Sequence, residues 1–317
     1  MRPRTPLTAV LSAAAAFSVL AGCSAPREAP RGSAAGDGVA APPKPATPGA
    51  KNAALQELLA TRSASLEKTA PPGFAVRVVR PFVVVSDEAK ETVDRRVGRV
   101  IEPAIAWLER AYFRVEPPAA VAIWICADAS SYQRATRSLT GRAPSTPFGF
   151  FSEEHDAIVL DASTGDGTLV HELVHPFVRA DFPTCPTWLD EGMGSLYEQC
   201  VLESDGLRGL VNWRLDALQR AAADGSAPAI AELVRMAPDA FYGDGSALNY
   251  AAARYLCLYL QERGALAELY RRLRDGAASS TDPAADAEKA LVELLGASTV
   301  AEVDSAFKAW VTGLKAS

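Results

Sequence analysis

Histidine is scarce in this chain: three residues in 317. Basic excess is lacking too, with 32 Lys and Arg against 38 Asp and Glu. Nucleic-acid binders need a basic face, so that class of partner is excluded. After the first 22 residues no run of 18 uncharged apolar residues occurs, which excludes a polytopic membrane protein. Charged residues are held to 22% and hydrophobic ones reach 49%, which excludes wholesale disorder. Internal repeats are absent. Cysteine is sparse, at five residues.

The first of those cysteines closes a leader. Arg2 and Arg4 open it, Leu7 to Leu20 form a short apolar core, and Leu20-Ala21-Gly22-Cys23 ends it. That ending resembles the lipobox of bacterial lipoproteins. The resemblance implies cleavage after residue 22, a lipid on Cys23 that anchors the chain to a bilayer, and a place in the cell envelope. Ser24 follows in place of Asp, which by the family's sorting rule points to the outer membrane. Export implies an oxidising compartment, where Cys126, Cys185, Cys200 and Cys257 can form zero, one or two disulfides.

Residues 23–50 hold six prolines and no hydrophobic periodicity, and read as a disordered tether. Residues 51–68 read as a helix. Val76 to Val85 reads as two strands broken by Pro81. A long helical pattern from Ser86-Asp87-Glu88 to Phe113 must kink or divide at Pro103. Val121–Cys126 is a predicted strand and Ser130–Leu139 a predicted helix. Phe148–Ser152 and Ala157–Asp161 read as a hairpin whose turn holds His155, an exposed turn residue. Asp166, between two glycines, reads as a turn or cap ahead of the next helix. From Thr187 onward the pattern is helical, with almost no strand signal. Predicted helices there are Val211–Ala223, Pro228–Met236, Asn249–Arg263, Leu266–Arg274, Pro283–Leu295 and Val300–Leu314. Pro228 and Pro283 suit a first helical position, and Gly264 a helix end. The expected plan is α+β: a lobe over residues 51–200 with a small mixed sheet, then a mainly helical lobe over 201–317.

Two of the three histidines fall in His171-Glu172-Leu173-Val174-His175. On a helix this spacing puts both imidazoles on one face, close enough to share one Zn²⁺. Glu172 is rotated by about 100° from His171, beside the cation and not on it, where a carboxylate can take a proton from water. A third ligand is expected from Pro186-Thr187-Trp188-Leu189-Asp190-Glu191-Gly192. Thr187 reads as an N-cap with Asp190 three residues on, so that Glu191 projects from the first turns of a second helix. Helical rotation lets only one of Asp190 and Glu191 face the first helix, and both stand as candidates.

H-E-L-V-H followed by W-L-D-E-G resembles the gluzincin zinc peptidases, particularly peptidase MA-like domains, over roughly residues 75–265. The resemblance implies a zincin-like fold with one zinc ion on His171, His175 and Glu191. It implies hydrolysis of a peptide or protein substrate by metal-activated water, with Glu172 as general base. It also implies an edge strand near Phe148–Ser152 that pairs with extended peptide. Tyr250 best matches the family's oxyanion stabiliser, and Arg254, on its face at i+4, is a candidate substrate contact. The sequence departs from the family twice. Pro176 follows His175 directly and removes a bond to the Glu172 carbonyl, so it must kink the helix or lie in its last turn. The Asp that the thermolysin-like pattern carries four residues after the ligand Glu is Ser195 here. The residue that orients a zinc histidine is therefore open among Asp190, Asp161 and Ser195. Two other functions fit the same residues: a non-catalytic envelope lipoprotein with structural zinc, and a metal-dependent amidase acting on cell-wall peptide.

Overall fold

Valine, isoleucine and alanine crowd the central strands because those strands are buried on both faces. The computed structural model describes residues 48–117, 120–203 and 206–315. The predicted signal peptide, Cys23 and nearly all of the predicted tether lie outside the described residues. Strands β1 (Ala75–Val79), β2 (Phe82–Ser86), β3 (Ala122–Cys126), β4 (Gly149–Ser152) and β5 (Ala157–Asp161) form one mixed sheet in the order β1-β2-β3-β5-β4. β2, β3 and β5 run parallel, and β1 and β4 lie antiparallel at the two edges. Pro81 lies in the β1–β2 turn after a cis peptide bond. The class is α+β, as the sequence pattern predicts.

Successive side chains of the strands point to opposite faces. Val83, Val85, Ala122, Trp124 and Val159 pack under Leu55, Leu59 and Leu66 of α1 (Pro48–Thr69) and Tyr132 of α4 (Ala129–Thr140). Val84, Ile123, Ile125, Ile158 and Leu160 face the other way, into the main core. That core takes in α2 (Lys90–Arg96), α3 (Glu102–Ala111), α5 (Gly167–Asp181) and α6 (Thr187–Tyr197). It continues without a break through Phe307 and Val311, so the two lobes share one core. Between α2 and α3 the chain makes a π-helical turn, Val97–Ile101. The turn falls just before Pro103, whose ring cannot supply the helical N–H.

The second half has four differences from the sequence pattern. A two-stranded hairpin, β6 (Cys200–Glu203) and β7 (Gly206–Gly209), corrects the all-helical expectation after Thr187. α7 (Leu215–Asp224) starts four residues later than predicted, because Asn212 and Arg214 are spent in a turn. α8 (Ile230–Arg235) leaves Pro228 outside the helix. A short helix, α9 (Pro238–Tyr242), precedes α10 (Ser246–Glu262). α11 (Leu266–Gly276), α12 (Pro283–Leu295) and α13 (Val300–Gly313) follow near their expected places, with Pro283 first in its helix and Gly264 left-handed at φ 65°. All four cysteines from Cys126 to Cys257 are free thiols.

Candidate metal centre

α5 is built to show one face to the sheet and another to α6. Leu169, Val170, Leu173, Val174, Phe177 and Val178 recur at helical spacing and are buried in the core. His171 and His175 share the remaining face, with ring centroids 5.0 Å apart. Pro176 lies inside the helix, which continues to Asp181, so Pro176 is not in the last turn. Asp166 stands at the N-cap without a capping bond and is instead ion-paired to Arg96.

α6 crosses α5 and brings Glu191 to the histidines. Its N-cap is Pro186, not Thr187, and Thr187 is already the first helical residue. Asp190 is thereby free of a capping task. Two glycines let α6 fit. A Cβ on Gly194 would lie 3.1 Å from His171 Nε2, and one on Gly192 would lie 2.9 Å from the Ala253 carbonyl of α10. Residues with side chains would push α6 away from the two helices it must touch.

His171, His175 and Glu191 offer ligand atoms that all lie within 4.8 Å of one another, and the group could hold a metal ion. Both Nε2 atoms face the same carboxylate oxygen: Glu191 Oε2 is 3.4 Å from His171 and 3.9 Å from His175. That oxygen is buried without a hydrogen bond. The other oxygen, Oε1, accepts from the Tyr242 hydroxyl at 2.7 Å. An orphaned buried carboxylate oxygen costs free energy unless something fills the space it faces, and two imidazole nitrogens with one carboxylate suit a cation.

Each histidine is held from behind. His175 Nδ1 lies 2.9 Å from Asp190 Oδ1. His171 Nδ1 lies 3.3 Å from Glu198 Oε1, off the line of a straight hydrogen bond. Arg214 grips Glu198 with two contacts, Nε to Oε2 at 3.2 Å and Nη2 to Oε1 at 2.9 Å. Of the three candidates for orienting a histidine, Asp190 does so. Asp161 instead accepts from Ser163, and Ser195 Oγ is buried without a partner. Glu198 and Tyr242 were not singled out from the sequence. Glu198 is seven residues after Glu191, two helical turns, which places both on one face. Tyr242 belongs to the five-residue α9 and carries no comparable signal.

The charges shift accordingly. Burial disfavours the charged imidazole of His175, but Asp190 and Glu191 outweigh it and raise its pKa to about 9. Burial likewise opposes charge on His171, and Glu191 and Glu198 overcome it, so its pKa is well above the ordinary value. Burial would raise the Glu191 carboxyl, yet His171, His175 and Tyr242 bring it down to about 2. Glu172 has its Oε2 4.0 Å from His175 Nε2 and is 8% exposed. Burial pushes its pKa up, partly offset by the two histidines.

Tyr250 is half-buried beside this group. Its ring lies 6.4 Å from that of Tyr242 and 5.4 Å from the Arg214 guanidinium. Arg254 is not a substrate contact. Its side chain is fully buried, with Nε donating to the Ser195 carbonyl at 2.9 Å and Nη2 to the carbonyls of Leu196 and Leu210. Tyr250 and Arg254 share a helix, but α10 turns Arg254 into the interior against the end of α6. His155 is half-buried, with Nδ1 3.0 Å from Ser152 Oγ, and stands in the β4–β5 turn. No protein-family model matches the chain, and no curated protein matches it.

Proposed function

We propose that this chain is a zinc-dependent peptidase, held at the cell envelope by a lipid on Cys23. The observation that carries the reading is the orphaned Glu191 Oε2, facing both histidine Nε2 atoms with Glu172 next to them. A His₂Glu donor set favours zinc over other divalent ions, and three protein ligands leave a position for solvent and substrate. Zinc bound there supplies Lewis acidity, lowering the pKa of water to about 7 and polarising a carbonyl.

The protein's own residues do the rest. Asp190 behind His175 holds its ring so that Nε2 faces inward. Tyr242 fixes the Glu191 carboxylate. Glu172 takes a proton from the attacking water and returns it to the leaving amine. Tyr250, half-buried beside Tyr242 and with its ring 5.4 Å from the Arg214 guanidinium, is the residue placed to donate to the oxyanion. Extended peptide pairs along β4, the sheet edge whose inner side is bonded to β5.

The test is metal analysis beside a chelator-controlled peptide-library assay. About one zinc per chain and chelator-sensitive cleavage are expected for the wild type, and loss of both for His171→Ala. Zinc without cleavage of any peptide would favour the structural-zinc reading, which the near-complete burial of Glu191, at 5% exposed, otherwise supports. Asp190→Asn should weaken zinc binding by about 10-fold or more while leaving the fold intact, as equilibrium competition with a chromophoric chelator would read.

A further inference from the structure

Glu198 has no place in the sequence pattern of the motif, yet it stands directly behind the first histidine. We infer that Glu198, held by Arg214, is the positioning residue for His171. When a cation is bound, the negative charge of Glu198 keeps the proton on Nδ1 and leaves the Nε2 lone pair for the ion. The inference rests on reading His171, His175 and Glu191 as a metal centre.

Three observations support it. The first is the contact itself. Glu198 Oε1 approaches Nδ1 to 3.3 Å in a setting where both side chains are about 11% exposed, so water screens the attraction weakly. The second is rigidity. Glu198 closes the C-terminal end of α6, and its main chain is pressed against the first turn of α5. A Cβ on Gly167 would collide with the Glu198 carbonyl. Gly167 begins the helix that carries His171, so the carboxylate and the imidazole are fixed in one frame. The third is the hold from Arg214. A planar guanidinium that meets both carboxylate oxygens sets the direction of the carboxylate as well as its charge, which a lysine cannot do.

Arg214 comes from the turn before α7, in the second half of the chain. The strap that carries it is anchored: the Asn212 N–H bonds to the Tyr255 hydroxyl, and that hydroxyl donates to the Asn212 carbonyl, both at 3.0 Å. The same guanidinium lies 5.4 Å from the Tyr250 ring. The helical second half thus reaches the metal centre through this charge pair as well as through Tyr242. Ser195, on the same helix, cannot replace Glu198, because its hydroxyl is buried with no bond to any described group.

A merely structural pair, tying the end of α6 to the start of α7, would show the same distances, so the test must separate the two. Purified full-length chain in detergent is titrated with Zn²⁺ against a competing chelator, and each variant is also melted in EDTA. Glu198→Ala should bind zinc about 10- to 100-fold more weakly, and Glu198→Gln about 10-fold, with the EDTA melting temperature near that of wild type. Arg214→Lys should weaken zinc in the same direction by a smaller factor. Nitrogen-15 histidine spectra of the zinc-loaded protein should show His171 protonated at Nδ1, and that signature should be lost in Glu198→Ala. Wild-type zinc affinity in both Glu198 variants would overturn the inference. So would a loss of affinity matched by an equal loss of stability in EDTA. If the wild type binds zinc but cleaves no peptide, the peptidase reading fails and this inference stands.

Discussion

Glu172→Gln is expected to leave bound zinc at wild-type level and to lower peptide hydrolysis by at least about 10²-fold, and up to about 10⁴-fold. The two expectations separate because Glu172 is beside the proposed ligands and not among them. Its carboxylate oxygen is 4.0 Å from His175 Nε2, whereas Glu191 Oε2 is the oxygen both histidines face. Gln keeps the shape and loses the proton acceptor, so the pocket stays filled while water keeps its proton. The wild-type pH profile should carry the mark of the same group. Burial raises the Glu172 pKa, and a general base works only when ionised. Activity should therefore fall on acidification as Glu172 takes up a proton, and this limb should vanish from whatever activity the Gln variant retains. Unchanged hydrolysis in Glu172→Gln would remove the base from the mechanism. Zinc that binds equally in both proteins, with neither cleaving any peptide, would mark the ion as a staple between α5 and α6.

How much of this centre could be read from residues alone depended on how local each relation was. His171, Glu172 and His175 sit within one helical turn and a half, and their relative placement follows from helical geometry. Glu191 was readable because a single strong helix signal placed it, though the cap was misassigned: Pro186 takes the position expected of Thr187. That difference matters, since Asp190, released from capping, is the carboxylate behind His175. The parallel strands announced themselves as continuous apolar runs. β6 and β7 did not, being four residues each and rich in glycine and charge. Tyr242 and Arg214 reach the centre through tertiary packing of a short helix and a strap, and no periodicity encodes that. At Arg254 the sequence spacing misleads for a related reason. Its spacing from Tyr250 is right for a shared face, but the rotation of α10 against α6 decides which part of that face meets solvent.

The buried position of Arg254 leads to the largest expected loss of stability. Arg254→Met should destabilise the fold by about 3 kcal/mol or more. The substitution keeps an unbranched apolar stem and removes the fork. What it strands are the main-chain carbonyls of Leu196, in the last turn of α6, and Leu210, after β7, while the Ser195 carbonyl keeps only the Glu198 N–H. The final carbonyls of a helix have no partner within it, and here no water replaces one, because the guanidinium is fully buried. Each carbonyl left unsatisfied costs about 1–3 kcal/mol, and relaxation of the neighbours recovers only part of that. A positive group at a helix C-terminus also complements the helix dipole. Burial lowers the Arg254 pKa to about 10, so the group is still charged at neutral pH and that attraction persists. Arg254→Lys should fall between wild type and Met, retaining the charge but reaching the carbonyls from a single point. Urea denaturation in the presence of EDTA measures the effect on the fold apart from zinc. A substrate contact would behave differently: Met would raise KM and leave the urea midpoint unmoved. A loss below about 1 kcal/mol, with KM raised, would return Arg254 to the surface of the site and break the link drawn here between α10 and the helix that carries Glu191.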